Sequence, residues 1–338
     1  MHLRGQNHMS KRYQVVGIGN AVVDVITNAD DSFLDHMGIT KGIMQLVERD
    51  RSETLFAAMD DRQQIPGGSV GNTIAGAGNL GLNTAFVGRV GDDALGLFYR
   101  DALTEAGTDF PNPPVKNAEL PTSRSMIFVS PDGERSMNTY LGISSEVGPE
   151  DVSKDVMENA EILFLEGYLY DKPKGKEAFN TAADACTAAN GMAGIALSDP
   201  FCVDRHREDF KTLIADHLDY VIGNEHELKS LWETEDLEEA LEKTSAICDT
   251  VVCTQSGNPV ILIQGDTRVE VPVKTVVPVD ATGAGDQFAA GFLYGMSQKL
   301  PLTTCGRMGC VAAAEVISHI GARPETDLMT LFKEQGLV

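Results

Sequence analysis

Residues Val276–Phe292 read VVPVDATGAGDQFAAGF. Val276–Val279 is apolar and reads as extended chain, and Ala289–Tyr294 reads as helix, so the turn Thr282–Gly285 falls at a helix N-terminus. There the unpaired N–H groups and the positive end of the helix dipole attract anions. No lysine follows the glycines, which excludes a Walker-type phosphate loop. Asp286 instead places a carboxylate at the mouth of the cradle. A first-turn acid also favours its own helix, by roughly 0.3–1 kcal/mol. The loop alone leaves both readings open, helix stabiliser or proton acceptor.

Upstream, short apolar runs recur: Tyr13–Gly19, Thr84–Val90, Glu161–Gly167, Gly194–Asp199, Leu218–Gly223 and Thr250–Thr254. Helical patterns lie between most of them, at Ser69–Leu80, Ala94–Ala106, Lys174–Ala189 and Glu225–Trp232. Continuous apolar strands alternating with helices predict an α/β fold, a mainly parallel sheet covered on both faces. Two segments break the rhythm, GITKGIMQLVERD (Gly38–Asp50) and TSRSMIFVSPDGERSMNTYLG (Thr122–Gly142). Both alternate with a period of two, and Pro131-Asp132-Gly133 is a strong turn signal inside the second. They predict a small antiparallel β-sheet inserted as a lid. The pattern alone equally allows an edge hairpin on the main sheet. No repeat or linker divides the chain. The expectation is a leader over residues 1–12, where Met9 would also serve as a start, then one domain over 13–338 with lid insertions near 38–50 and 122–142.

The 338 residues carry a formal net charge of −23, spread along the chain. That argues against non-specific binding to nucleic acid or to an anionic membrane surface. It does not oppose a local anion site made of backbone N–H groups. No apolar run reaches spanning length, and the N-terminus lacks the apolar core of a signal peptide. The six cysteines form no CxxC pair and most lie in apolar runs, so they read as buried free thiols in a reducing cytoplasm.

Other polar groups stand at strand ends. GIGNAVVD (Gly17–Asp24) resembles the start of a dinucleotide fingerprint, but Val22 replaces its third glycine and the following residues favour a strand. A dehydrogenase reading is thereby weakened. Asn20 and Asp24 stand where side chains face a cleft, and Asp24 suits the role of acceptor from substrate hydroxyls; a solvated turn is the alternative. In PGGSVGNTIAGAGNLG (Pro66–Gly81), Gly67 and Gly68 allow close backbone approach, Ser69 reads as an N-cap, and Asn72 offers a donor and an acceptor to a polyhydroxy ligand. Asn224-Glu225-His226-Glu227 has capping-box spacing, and Glu227 also suits a hydrated Mg²⁺ beside phosphates. VCTQSGNP (Val252–Pro259), with Thr254 and Gly257, adds a turn suited to covering a nucleotide.

Taken together, these motifs resemble the ribokinase-like (PfkB) family of sugar and nucleoside kinases. GGSVGNTIAGAGNLG with AFVGRVGDDALG is like the family's N-terminal signature, DATGAGDQFAAGF like its C-terminal one, and Asn224…Glu227 lies between them in family order. The resemblance runs from about Tyr13 to near the end of the chain. It implies a central, mainly parallel sheet with a β-lid, and transfer of the γ-phosphoryl of ATP to a primary hydroxyl. It makes Asp286 the catalytic base and puts the anion hole at Gly283, Ala284 and Gly285. It gives substrate hydroxyls to Asp24, Gly68 and Asn72. It also implies a monovalent cation, K⁺, at Asp280 and Thr282 beside the turn Ser318–Ala322, although Ala281 stands where the family commonly has threonine.

GIGNAVVD, GGSVGNT and ERSMNTYLGIS look most like adenosine kinases and their bacterial relatives. SDPFCVDRH (Ser198–His206) departs from the Asp-x-Asn-x-Arg pattern of sugar kinases. The expected acceptor is the 5′-hydroxyl of adenosine or a related nucleoside. The alternatives are a furanose or keto-sugar acid and, less so, a silent nucleoside or sugar sensor. Arg135 on the inserted sheet is expected to offset phosphate charge, a solvated hairpin arginine being the alternative. Met44, Leu46, Met126 and Phe128 are expected to line the acceptor pocket. The remaining partners are expected to be small molecules, with the chain a monomer or a homodimer.

Overall fold

The computed structural model describes residues 11–274 and 276–338; the first ten residues of the expected leader lie outside them. The strands of the first half are β1 (Tyr13–Ile18), β2 (Val22–Asn28), β3 (Met44–Leu46), β4 (Gln63–Pro66), β5 (Thr84–Val87), β6 (Thr108–Asp109), β7 (Ser123–Val129) and β8 (Arg135–Tyr140). Those of the second are β9 (Ala160–Glu166), β10 (Met192–Ala196), β11 (Tyr220–Asn224), β12 (Thr250–Gln255), β13 (Asn258–Gln264) and β14 (Thr267–Val271).

Nine of them form one sheet in the order β14-β13-β12-β11-β10-β9-β1-β5-β6. Pairing is parallel from β6 to β12 and antiparallel across β12–β13–β14. The middle strands are apolar on both faces because both are covered. Val15, Phe164 and Tyr220 face one cluster with Ile74, Phe288 and Met308, from the helices Ser69–Asn79, Ala284–Ser297 and Leu302–Val316. Val16, Leu163 and Ile195 face the other, with Phe179, Phe210 and Leu228 from the helices Pro173–Ala188, Pro200–His217 and Glu225–Trp232. All six cysteines are free and buried, as their apolar surroundings predict. Among the described residues no helix is long and apolar enough to cross a membrane.

The other five strands form a second sheet, β3-β8-β7-β2-β4, so the edge-hairpin alternative fails. The turn at Pro131–Gly133 joins β7 to β8, with Gly133 N–H on the Ser130 carbonyl at 2.8 Å. The inserted sheet is larger than predicted and mixed rather than antiparallel, since β2–β7 and β3–β8 pair in parallel. β2 belongs to it, paired along its length with β7, and so does β4. The segment 38–50 contributes only Met44–Leu46, and the helix Arg49–Ala57 starts within it. Val276–Val279 forms no strand, and Val277 and Val279 are exposed. The helix Pro200–His217 and the β13–β14 hairpin had no counterpart in the sequence pattern.

Register sets which side chains of the inserted sheet look the same way. Asp24 pairs with Ile65 and Ser125, Ser125 with Thr139, and Thr139 with Leu46. Arg135, Met137 and Met44 share that face. Met126 and Phe128 lie on the opposite one, fully buried, with Ser52 Oγ on Met126 Sδ and the Phe33 ring 5.5 Å from Phe128. Their predicted place in an acceptor pocket is therefore corrected. Met44 and Leu46 do face outward, 47% and 57% exposed.

Candidate active site

The helix Ala284–Ser297 begins at Gly283, whose φ of +80° gives the chain its sharp entry. The Ala284 N–H is engaged by the Ala281 carbonyl at 3.2 Å. At this helix end the N–H groups of Gly283, Gly285 and Asp286 are the ones suited to receive an anion. The expectation that the Ala284 N–H joins them meets this competing contact.

Asp286 points back to the helix Ser69–Asn79. Its Oδ1 accepts from Ser69 Oγ at 2.6 Å and its Oδ2 from Asn72 Nδ2 at 3.1 Å. Burial pushes its pKa up to about 6, and the two donors hold it from rising further. A carboxylate so placed is ionised at neutral pH yet close enough to it to take a proton. Ser69 is not the N-cap expected of it. Gly68 caps the helix with φ +88°, and a side chain there would strike the Asn20 carbonyl, 2.3 Å from an added Cβ. Gly67 ties this turn down, its N–H on the Val22 carbonyl at 2.7 Å and its carbonyl accepting from Tyr99 Oη at 3.1 Å.

Asp24 stands across the cleft on β2. Among the described residues no donor satisfies its carboxylate; Arg135 and Arg323 draw its pKa down, while burial, the larger effect, lifts it to about 6. Asn20 does not face the cleft as predicted. It is 3% exposed and its amide is engaged on both sides, Nδ2 donating to Glu166 at 2.7 Å and Oδ1 accepting from Ser144 at 2.9 Å.

Glu166, at the end of β9, is a residue that motif reading missed. Its carboxylate also accepts the N–H groups of Asn20 and Val70, tying the β1 exit to the helix that carries Ser69 and Asn72. The one signal in the sequence was an acid closing the otherwise apolar run of β9. Gln287 was missed too. Fully buried, its Nε2 bridges the carbonyls of Asn72 and Ala322.

Arg135 reaches from the inserted sheet to Asp280 at 2.7 Å, both side chains about nine-tenths buried. Asp280 also accepts the N–H groups of Thr282 and Gly321, and its pKa is held down at about 2 despite the cost of burial. The carboxylate assigned to a potassium ion is therefore already met by a guanidinium. Asn224 and Glu227 form the capping box, with Asn224 Nδ2 and N–H both on the Glu227 carboxylate at 2.7 and 2.8 Å. Burial lifts Glu227 to about 7. Two of its lone-pair positions are thus filled, which fits a water-mediated ion better than a direct ligand. Among the described residues no group of three or more His, Cys, Asp and Glu side chains is arranged to hold a metal. Thr254 pairs with Asn224 at the ends of β12 and β11, and Gly257 lies in the turn just beyond. A cavity of about 380 Å³ is lined by Lys274, Val276, Arg307, Val311, Ala314 and Ser318.

A buried carboxylate in the first turn of a helix, the unpaired N–H groups of that helix end and the strand ends beside them suit phosphoryl transfer to a hydroxyl. The comparisons agree. The model of the pfkB family carbohydrate kinases matches residues 35–328, and the chain belongs to that family. Its activity is ATP-dependent phosphotransfer to a hydroxyl acceptor. Adenosine kinase 2 of Arabidopsis thaliana is 26% identical over 333 residues, covering 91% of this chain and 94% of its own. A structure titled as a probable sugar kinase protein from Rhizobium etli CFN 42 superposes with TM-score 0.88 at 42% identity, over 97% of this chain and 100% of that one. One of adenosine kinase from Sinorhizobium meliloti gives 0.87, also at 42%, over 96% and 99%.

Proposed function

We propose that the chain phosphorylates the 5′-hydroxyl of adenosine or a closely related nucleoside. The observation that carries the acceptor class is the outward face of the inserted sheet. The carboxylate of Asp24, without a donor of its own, shares that face with the exposed apolar side chains of Ile65 beside it and of Met44 and Leu46 on β3. A vicinal diol satisfies the carboxylate, and a flat base covers the apolar surface. A free sugar leaves that surface wet. Relatives named for adenosine support the reading, and the equally similar probable sugar kinase shows that identity alone does not choose.

In this reading the acceptor oxygen attacks the γ-phosphorus and its proton passes to Asp286. The bond to the ADP oxygen breaks as the new P–O bond forms, and ADP leaves. The N–H groups of Gly283, Gly285 and Asp286 hold the developing charge on the transferred group. Arg135 lies on the same face as Asp24 and exchanges Asp280 for phosphate as the lid settles. The base of ATP occupies the cavity at Val276 and Ala314, with Asn224, Thr254 and Gly257 along its phosphates and ribose. When bound, Mg²⁺ neutralises phosphate charge, held through water by Glu227. A potassium ion at the turn Ser318–Ala322 would be held by backbone carbonyls rather than by Asp280, which Arg135 already meets.

The test is ATP-dependent phosphorylation of adenosine, guanosine, ribose, fructose and 2-keto-3-deoxygluconate, with and without K⁺. Adenosine is expected to give the highest kcat/KM; preference for a free sugar would overturn the acceptor class. Asp286→Asn should lower kcat by roughly 10²-fold or more with ATP binding kept. Near-normal turnover by the folded variant would remove Asp286 as the base.

A further inference from the structure

Arg323 has no part in the reading above, yet its guanidinium is shut into the floor of the site. It follows the turn whose Gly321 N–H binds Asp280 and whose Ala322 carbonyl accepts from Gln287, and beyond it the Glu325 N–H is held by Glu315, so its backbone is anchored on both sides. Its Nε lies 3.5 Å from Asn72 Oδ1, and its Nη2 is buried with no partner among the described residues. Its charge faces Tyr99 and Asp24, and burial pulls its pKa down. Burying a guanidinium with incomplete hydrogen bonding is costly, so its placement calls for a compensating role.

The Asn72 amide supplies that role. Its Nδ2 donates to Asp286, so its Oδ1 must look the other way, toward Arg323. The flipped amide would set an oxygen against the Asp286 carboxylate and an NH₂ against a cation. We infer that Arg323 is a positioning residue that locks the Asn72 amide in the one orientation able to donate to Asp286. Arg323 thus acts on the base through an intermediary, at long hydrogen-bond range and with the help of its charge. The inference rests on Asp286 being the base of the proposed reaction.

The groups that face Asp286 are Ser69 and Asn72 on their helix, Asp24 on β2, and Glu166 and Tyr168 at and beyond the end of β9. None of these residues is itself replaced in an Arg323 variant; Asp24 loses a charge that draws its pKa down, an effect that persists in an Asn72→Ala background and is separated there from the action through the amide. Without a locked amide, Asp286 loses a donor that lowers its pKa, so its titration moves to higher pH. The probe is the ¹³C titration of the Asp286 side-chain carboxyl, assigned by its disappearance in Asp286→Asn. Arg323→Met should raise the midpoint by roughly half to one pH unit, and Arg323→Lys, which keeps the charge, by less. In an Asn72→Ala background the same replacement should add nothing. With adenosine and ATP, the acid limb of kcat/KM should shift in the same direction, and kcat should fall roughly 10-fold, less than on loss of the base itself. An unmoved midpoint in Arg323→Met, or an equal shift with Asn72 absent, overturns the inference. Failure of adenosine as acceptor bears on the proposed substrate and leaves the carboxyl titration to decide the role of Arg323.

Discussion

Asp286 has both carboxylate oxygens on donors from a single helix, three residues apart at Ser69 and Asn72. That spacing puts them on one helical face, and Gly68 sets where the face begins. No other residue type enters the helix with φ +88° while lying against the Asn20 carbonyl. Gly68→Ala should therefore act twice. Thermal unfolding should show a loss of roughly 1–3 kcal/mol from backbone strain alone. Turnover should fall further than stability accounts for, because Ser69 and Asn72 shift away from Asp286. Full activity with an unchanged melting temperature would show that the turn is not strained. The GGS and GAGD motifs were legible because glycine at a strand–helix junction has few other uses. Glu166 and Arg323 were not. A lone acid or arginine near a turn is ordinary until the fold shows what it faces.

A buried ion pair, Arg135 to Asp280, ties the inserted sheet to the turn that precedes the helix Ala284–Ser297. The hairpin that carries Arg135 was readable from Pro131–Gly133 and two-residue alternation. The partnership of β2 and β4 was not, since β2 directly follows β1 in sequence and its Val-rich run suits either sheet. Removing one member of a buried pair strands the other charge. Arg135→Met is expected to destabilise the protein by about 3 kcal/mol, and to speed hydrogen exchange in β8 and in residues 279–282 together. Exchange that rises in only one of the two would mean that the pair does not couple β8 to that turn. Arg135→Met should also weaken turnover if the guanidinium transfers to phosphate, a loss that the adenosine assay reads separately from stability.

At the scale of the whole molecule, four carboxylates are buried around the cleft and lifted by desolvation, Asp24 and Asp286 to about 6, Glu166 and Glu227 to about 7. Each binds its proton more tightly folded than unfolded. Between about pH 4.5 and 7 the native state therefore holds more protons, and stability falls as pH rises. The strongly lowered acids, Asp280 and Asp132 at about 2, complete their own contribution below that window. A net charge of −23 acts in the same direction through self-repulsion. The unliganded protein should melt roughly a few degrees lower at pH 8 than at pH 5.5, and Glu166→Gln should flatten the slope; a melting temperature that climbs with pH would contradict this. By itself the sequence determined the α/β layering, the helix-end cradle and Asp286, because apolar periodicity and glycine at a helix start are local properties of the chain. Tertiary structure alone decided that Ser69 and Asn72 restrain Asp286, that Asn20 serves Glu166, that Met126 and Phe128 face away from the cleft, and that Arg135 answers Asp280. Those facts depend on strand register and on contacts between segments more than a hundred residues apart in several cases, for which no local pattern carries a signal.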